Sequence, residues 1–313
     1  MLVQYLVYVA QGLFLFIVNC TILCTVLFHQ VLRTRKEYII IAGLALADSL
    51  AGMGYFLAGI GRGLVTYNIT SQEEQSRWQC FWKPWNQMFL WSDPAGALML
   101  LVISCDRLIA AVQPIKYFVL GKLYGLAWVG TVFGFTLICN FVAMVAVYGA
   151  QQPVYPGTCS YVFGLHPTYY TFNANVRVFG GVGSVVVFGI VVLLYKRKKT
   201  AVVSSQGQTD TSASIKKNIK AQKKLTKTLG ISASFTLIFY VLPLLVEQVA
   251  LNFNLLDDSH SSVTKLITYV YIINNINPAA NFFIYTIRQK ELKKAVLLLF
   301  KGQQMSWVQF QNP

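Results

Sequence analysis

The sequence predicts an all-α membrane protein, a seven-transmembrane helix bundle followed by a short amphipathic C-terminal helix. Three observations carry this reading. Of the 313 residues, 55% are hydrophobic and 12% charged, a balance outside the usual range of soluble domains. Apolar runs recur at residues 5–28, 38–60, 87–112, 123–148, 172–195, 229–251 and 263–287, each near or above the ~20 helical residues that cross a bilayer. The runs are continuous, whereas a β-barrel needs short alternating segments separated by turns.

A formal charge of +15 raises nucleic-acid binding as an alternative, and the placement of the basic residues decides against it. They are sorted by loop. Arg33, Arg35 and Lys36 follow span one, Arg107, Lys116 and Lys122 surround the end of span three, a dense set lies between spans five and six, and another follows span seven. Only Arg62, Arg77, Lys83, Arg177 and Lys265 fall on the other side. The positive-inside rule then sets the N-terminus outside and the C-terminus in the cytoplasm. The chain divides into residues 1–287, a seven-transmembrane domain containing cytoplasmic loop three at 196–227, and residues 288–313, an amphipathic helix and tail. Membrane lipids are the expected partners of the basic residues; nucleic acid is not expected.

Cys20, Cys24, Cys105 and Cys139 lie inside the spans, which leaves Cys80 and Cys159 in the oxidising outer compartment. Those two are expected to pair. Asn68-Ile69-Thr70 is a glycosylation sequon on the same side.

Taking the spans in order, Asn19 in span one and Asp48 in span two are polar in mid-membrane. A carboxylate there is costly unless partnered. Asp48 is therefore expected to face the bundle interior, with Asn19, Asn274 and Asn277 as amide partners. In span three, Asn86, Phe89 and Asp93 recur at helical spacing and share one face. Asp93 precedes Arg107 by fourteen residues, roughly 21 Å along a helix. That face suits an outer cavity. The Asp93 carboxylate either holds a cationic ligand, pairs with Arg177 at the start of span five, or hydrogen-bonds within the bundle. Span four carries Trp128 and Asn140. Span five contains Gly180-Gly181-Val182-Gly183, read as a close-packing face. In span six Pro243 is expected to kink the helix, and Glu247 lies one turn beyond it. Span seven holds Asn274-Asn275-Ile276-Asn277-Pro278, a second kink beside dense amides. Aromatic and amide residues Asn86, Phe89, Tyr240 and Tyr271, with Asp93, Arg177 and Glu247, make the candidate ligand set. Residues 288–300 alternate bases with Leu, Val and Phe at helical spacing, as in a helix lying on the inner leaflet.

Taken together, Asn19, Leu44 to Asp48, Cys80, Asp106-Arg107-Leu108, Trp128, Cys159, Pro243 and Asn277-Pro278-Ala279-Ala280-Asn281 resemble the signatures of the rhodopsin-like (class A) G-protein-coupled receptors. Asp106-Arg107-Leu108 and the Asn277-to-Asn281 run before Phe282-Phe283-Ile284-Tyr285 are further similar to nematode serpentine chemoreceptors of the srsx kind. The resemblance implies a chemosensory plasma-membrane receptor, of the olfactory type and placed at a sensory cilium. It would bind an extracellular small molecule or peptide in the outer half of the bundle and activate a heterotrimeric G protein. It assigns Arg107, restrained by Asp106, to the Gα contact and Ile115 to a hydrophobic slot on Gα. It implies that Asp48 with Asn274 and Asn277 forms a rearranging polar hub, with Pro278 among the switch residues and the Pro243 kink as the hinge. The sequence departs from that family in several places: span five lacks a proline, Tyr240-Val241 stand where a tryptophan precedes Pro243, Asn281 replaces a tyrosine, and Cys80 sits slightly farther from Arg107 than the family's usual spacing. The base of span six carries Lys223, Lys224 and Lys227 where an acid often clasps the arginine, so appreciable ligand-free signalling is expected.

A membrane transporter of a small solute is the main rival, since kinked helices with mid-membrane acids also suit translocation; no internal repeat supports it. An enzyme is not expected. His29, His166 and His260 lie in separate loops without metal-ligand spacing, and no nucleophile-base arrangement or Gly-rich phosphate loop is visible, so no cofactor or metal is implied.

Overall fold

The computed structural model describes residues 2–67, 69, 73–204, 230–252, 270 and 272–303. Among them, six helices are long and apolar enough to cross a membrane: Val3–Phe28, Lys36–Thr66, Pro84–Val112, Lys122–Val147, Pro167–Leu194 and Gly230–Val249. The helix Ile276–Arg288 supplies the C-terminal part of span seven. The architecture is the expected all-α bundle of membrane-spanning helices.

The helices run past the apolar windows because polar residues continue a helix where the membrane ends. Span two begins at Lys36 and ends at Thr66, beyond the predicted 38–60. Span five lies within a single helix, Pro167–Ser204, that overruns residue 195 into lysines and an arginine, which are good helix formers. Span three starts with Pro84 in its first turn, where the missing N–H is no loss.

Close helix contacts use glycine. A Cβ on Gly52 would stand 2.5 Å from the Phe16 backbone nitrogen, and one on Gly180 would stand 2.7 Å from the Ala97 carbonyl carbon. Spans one and two, and spans three and five, therefore meet backbone to backbone. The expected small-residue face of span five is real.

Span six carries a π-turn at Leu237–Val241 immediately before the helix Leu242–Asn252 that contains Pro243. The predicted proline kink thus takes the form of a local widening of the helix, which accommodates the missing donor of Pro243. Span seven breaks at Gln289, and the amphipathic helix Lys290–Phe300 follows. It packs Leu292 and Ala295 inward. Buried His29, at the end of span one, hydrogen-bonds the Ala295 carbonyl at 2.7 Å through Nε2, and Tyr38 donates to Glu291 at 3.3 Å.

At one end, Cys80 and Cys159 form the expected disulfide, with Cα atoms 5.0 Å apart. Cys80 lies in the short helix Arg77–Phe81, whose N-terminus is held by a Ser76/Gln79 capping box. A two-stranded antiparallel pair, Gln75–Ser76 with Pro153–Tyr155, joins the same two loops. The Arg107 end lies opposite.

Candidate functional site

The disulfide end encloses a cavity of about 150 Å³. Its upper wall is aromatic, with Tyr8, Tyr55, Phe89 and Tyr161, and span three descends along it through Ser92, Asp93, Gly96 and Leu100. Its floor reaches Asp48, Asn274, Asn277 and Pro278. The cavity therefore connects the proposed ligand level with the polar hub.

Asp48, Arg62, Asp93 and Arg177 are the charged residues that line it, and Arg177 stands between two carboxylates. Two guanidinium nitrogens reach the two oxygens of Glu247 at 3.4 and 3.3 Å, a bidentate pair, while Asp93 stands farther off at 3.8 Å. Tyr170 donates to Glu247 at 3.0 Å. Arg177 and Glu247 side chains are 5% and 3% exposed, but Asp93 is 23% exposed. Desolvation makes such pairing obligatory for the two buried groups. Asp93 is the looser partner and faces the cavity. Of the alternatives left open by the sequence, pairing with Arg177 is present, and it leaves Asp93 accessible from the cavity.

Tyr240 and Arg177 also line this space. Asn86 does not. It lies on the predicted face, yet its amide donates to the carbonyls of Cys80 at 2.7 Å and Cys159 at 3.2 Å, so it fixes the disulfide region instead of lining the cavity. Trp85 donates to the same Cys159 carbonyl at 3.1 Å. Tyr161 closes the top, accepting from Asn173 at 2.9 Å and meeting Phe89 edge-on. Burial pushes its phenol well above the usual range, so it stays neutral. Tyr271, Asn68 and the lysines at 223, 224 and 227 lie outside the described residues.

In the hub, Thr236 donates to Asn277 at 3.0 Å, and Ser232 donates to Asn281. Tyr285 places its hydroxyl 3.5 Å from Ser232. Asp48 Oδ2, Asn274 Oδ1 and Asn281 Nδ2 are buried without a fully formed hydrogen bond among the described residues, and Asn281 is the amide that interacts with Asp48. Asn19 is not the partner expected for Asp48: it donates to the Leu15 carbonyl of its own helix at 3.0 Å.

At the other end, Arg107 is 1% exposed. Its Nε donates to Asp106 at 2.9 Å, with a second contact from Nη2. The same Nη2 donates to the Tyr117 hydroxyl at 2.5 Å. That hydroxyl lies 3.2 Å from Asp106 and 3.4 Å from Glu37. Lys36 donates to the carbonyls of Tyr117 and Leu120 and lies 3.9 Å above the Tyr117 ring. Burial pushes the Tyr117 phenol upward, with Arg107 opposing. Sequence reasoning missed Tyr117, Lys36 and Glu37. Their signal was the Pro114-start helix Pro114–Val119, which turns Tyr117 back toward the bundle. The same helix leaves Ile115 84% exposed, with Phe118 and Val119 beside it.

A bundle of membrane-spanning helices, disulfide-capped over a mixed aromatic and charged cavity and carrying a buried arginine cluster at its far end, defines a heptahelical receptor. A model of the serpentine type 7TM GPCR chemoreceptor family Srsx matches residues 13–300. The chain belongs to that family. It is a chemosensory G-protein-coupled receptor and not a transporter. It is also 24% identical to trace amine-associated receptor 9 of Mus musculus over 307 residues, 91% of this chain and 80% of the mouse protein.

Proposed function

We propose that the receptor stands in the plasma membrane with the disulfide end outside and the Arg107 end in the cytoplasm. It binds a small organic cation at Asp93 and signals to a heterotrimeric G protein. The asymmetry of the Arg177 pairing carries the ligand reading. Glu247 meets Arg177 bidentately from behind the cavity wall, while Asp93 is farther away and more exposed. An ammonium group entering the cavity takes Asp93 as counter-ion without stranding Arg177. The cavity volume, about 150 Å³, suits a compact molecule over a peptide, since drug-sized pockets run to roughly 300–1,000 Å³. The mouse relative's name points to amines as well.

The partition of basic residues and the oxidised Cys80–Cys159 pair support this orientation. On the cytoplasmic side, exposed Ile115, Phe118 and Val119 offer an apolar contact for Gα beside the Arg107 cluster. Placement at a sensory cilium and glycosylation at Asn68 belong to the same reading. The test is a panel of primary amines and their neutral isosteres on cells expressing the chain, read by second messenger. Asp93→Asn is expected to reduce amine potency at least tenfold; an amine agonist indifferent to that change refutes the pairing.

A further inference from the structure

Arg177 of span five is shared between carboxylates of two other spans. Its Nη1 lies 3.4 Å from Glu247 Oε1 and 3.8 Å from Asp93 Oδ2, while Nη2 lies 3.3 Å from Glu247 Oε2. Charge-assisted N–H···O bonds ordinarily close to about 2.7–2.9 Å. Both bonds to Glu247 are therefore long, and the nitrogen that completes the fork is also the one nearest Asp93. Glu247 is steadied independently: Tyr170, two turns before Arg177 on the same face of span five, donates to its Oε1 at 3.0 Å. The guanidinium, on its long side chain, is the member free to shift between the two acids.

Glu247 lies on span six beyond the π-turn Leu237–Val241 and Pro243. Within that turn Tyr240 faces span five, where a Cβ on Gly181 would stand 3.1 Å from its ring. Spans five and six thus meet at two heights, Arg177 on Glu247 and Gly181 on Tyr240. We propose that Arg177 is a positioning residue that passes occupancy of Asp93 to span six: a cation on Asp93 releases Arg177 from span three, and the guanidinium closes on Glu247. This rests on the reading of Asp93 as the ligand's counter-ion. An entering ammonium neutralises Asp93 and repels Arg177, so both effects move the guanidinium the same way. Closing to ordinary length takes up about half an ångström and draws the outer half of span six toward span five about the π-turn, where the helix is already widened. The ligand shifts the receptor because it binds the closed arrangement better than the shared one.

Removing the Asp93 charge reproduces the released arrangement, so the decisive experiment needs no ligand. Basal second-messenger output is measured in cells expressing the full chain and divided by surface receptor number from flow cytometry. Asp93→Asn is expected to raise it about fivefold, the scale of a partly exposed ion pair. Asp93→Glu, which keeps the charge, should stay near wild type. Adding Glu247→Gln to Asp93→Asn should abolish the rise, because neither of the two carboxylates then remains for Arg177 to close on. Should Asp93→Asn fail to reach the surface, Asp93→Ser carries the same test. Basal output equal to wild type on loss of the Asp93 charge overturns the proposal, as does a rise that survives Glu247→Gln. An amine panel without effect, beside a raised and Glu247-dependent basal output, refutes the ligand reading and leaves the hand-over standing. Amine potency lost in Asp93→Asn with basal output unchanged does the reverse.

Discussion

Tyr117→Phe removes one oxygen from the Arg107 cluster and leaves the rest of the ring in place beneath Lys36. That oxygen accepts from Arg107 at 2.5 Å and lies within reach of carboxylates on Asp106 and Glu37. Hydrogen bonds to charged groups contribute about 1.5–3 kcal/mol. Asp106 keeps its own bonds to Arg107, so the lower figure is the appropriate one. About 1.5 kcal/mol is roughly tenfold in an equilibrium. A ligand-free active fraction of ~1% would rise toward ~10%. The assay is basal second-messenger output at matched surface expression, with Arg107→Ala as the uncoupled reference. Basal output from Tyr117→Phe no higher than wild type, with agonist response intact, would refute the clasp. The span-six lysines favour ligand-free signalling and this clasp, from the helix Pro114–Val119 and span two, would oppose it; the same assay reads the balance.

Further outcomes follow from the same contacts. Glu247→Gln leaves Arg177, among the described residues, with the looser Asp93 as its carboxylate, and breaking a buried pair costs about 3–5 kcal/mol; surface expression should fall, measured by flow cytometry, and Glu247→Asp should recover part of it. Gly52→Leu forces side-chain atoms into the Phe16 backbone, so thermal stability in detergent should drop well below that of Gly130→Leu, where the added Cβ meets nothing within 4 Å. Cys80→Ser removes the clasp on the roof, a loss of about 2–5 kcal/mol in small disulfide-bonded domains, and should lower both agonist binding and surface yield. Ile115→Ala should reduce agonist-evoked signalling while leaving agonist affinity in membranes without G protein unchanged.

The spans, the disulfide and the amphipathic helix were legible because each depends on composition and local period. Asp93, Arg177 and Glu247 were found individually, since ionisable groups in apolar helices are conspicuous. Their division of labour was not, because it depends on a difference between 3.3 and 3.8 Å that only the packing of spans three, five and six fixes. Asn86 falls on the expected face but serves a different purpose, because its register is helical while its partners come from loops that sequence spacing does not place. Tyr117 was hidden for a different reason. It lies in a loop between spans, where hydropathy reports nothing about a side chain returning to the bundle.

The carbonyl of Cys159 receives both Trp85 and Asn86, while the Cys159 sulfur is bonded to Cys80. The next three residues, Ser160, Tyr161 and Val162, form the cavity roof. The roof is therefore not a hinged door but an extension of the helix Pro84–Val112, which carries Arg107 near its other end. A molecule that presses upward on Tyr161 or sideways on Asp93 loads the same rod. Contact with Tyr161 or Asp93 therefore bears on the one helix whose far end holds the arginine, and neither residue depends on the tryptophan and tyrosine missing from spans six and seven.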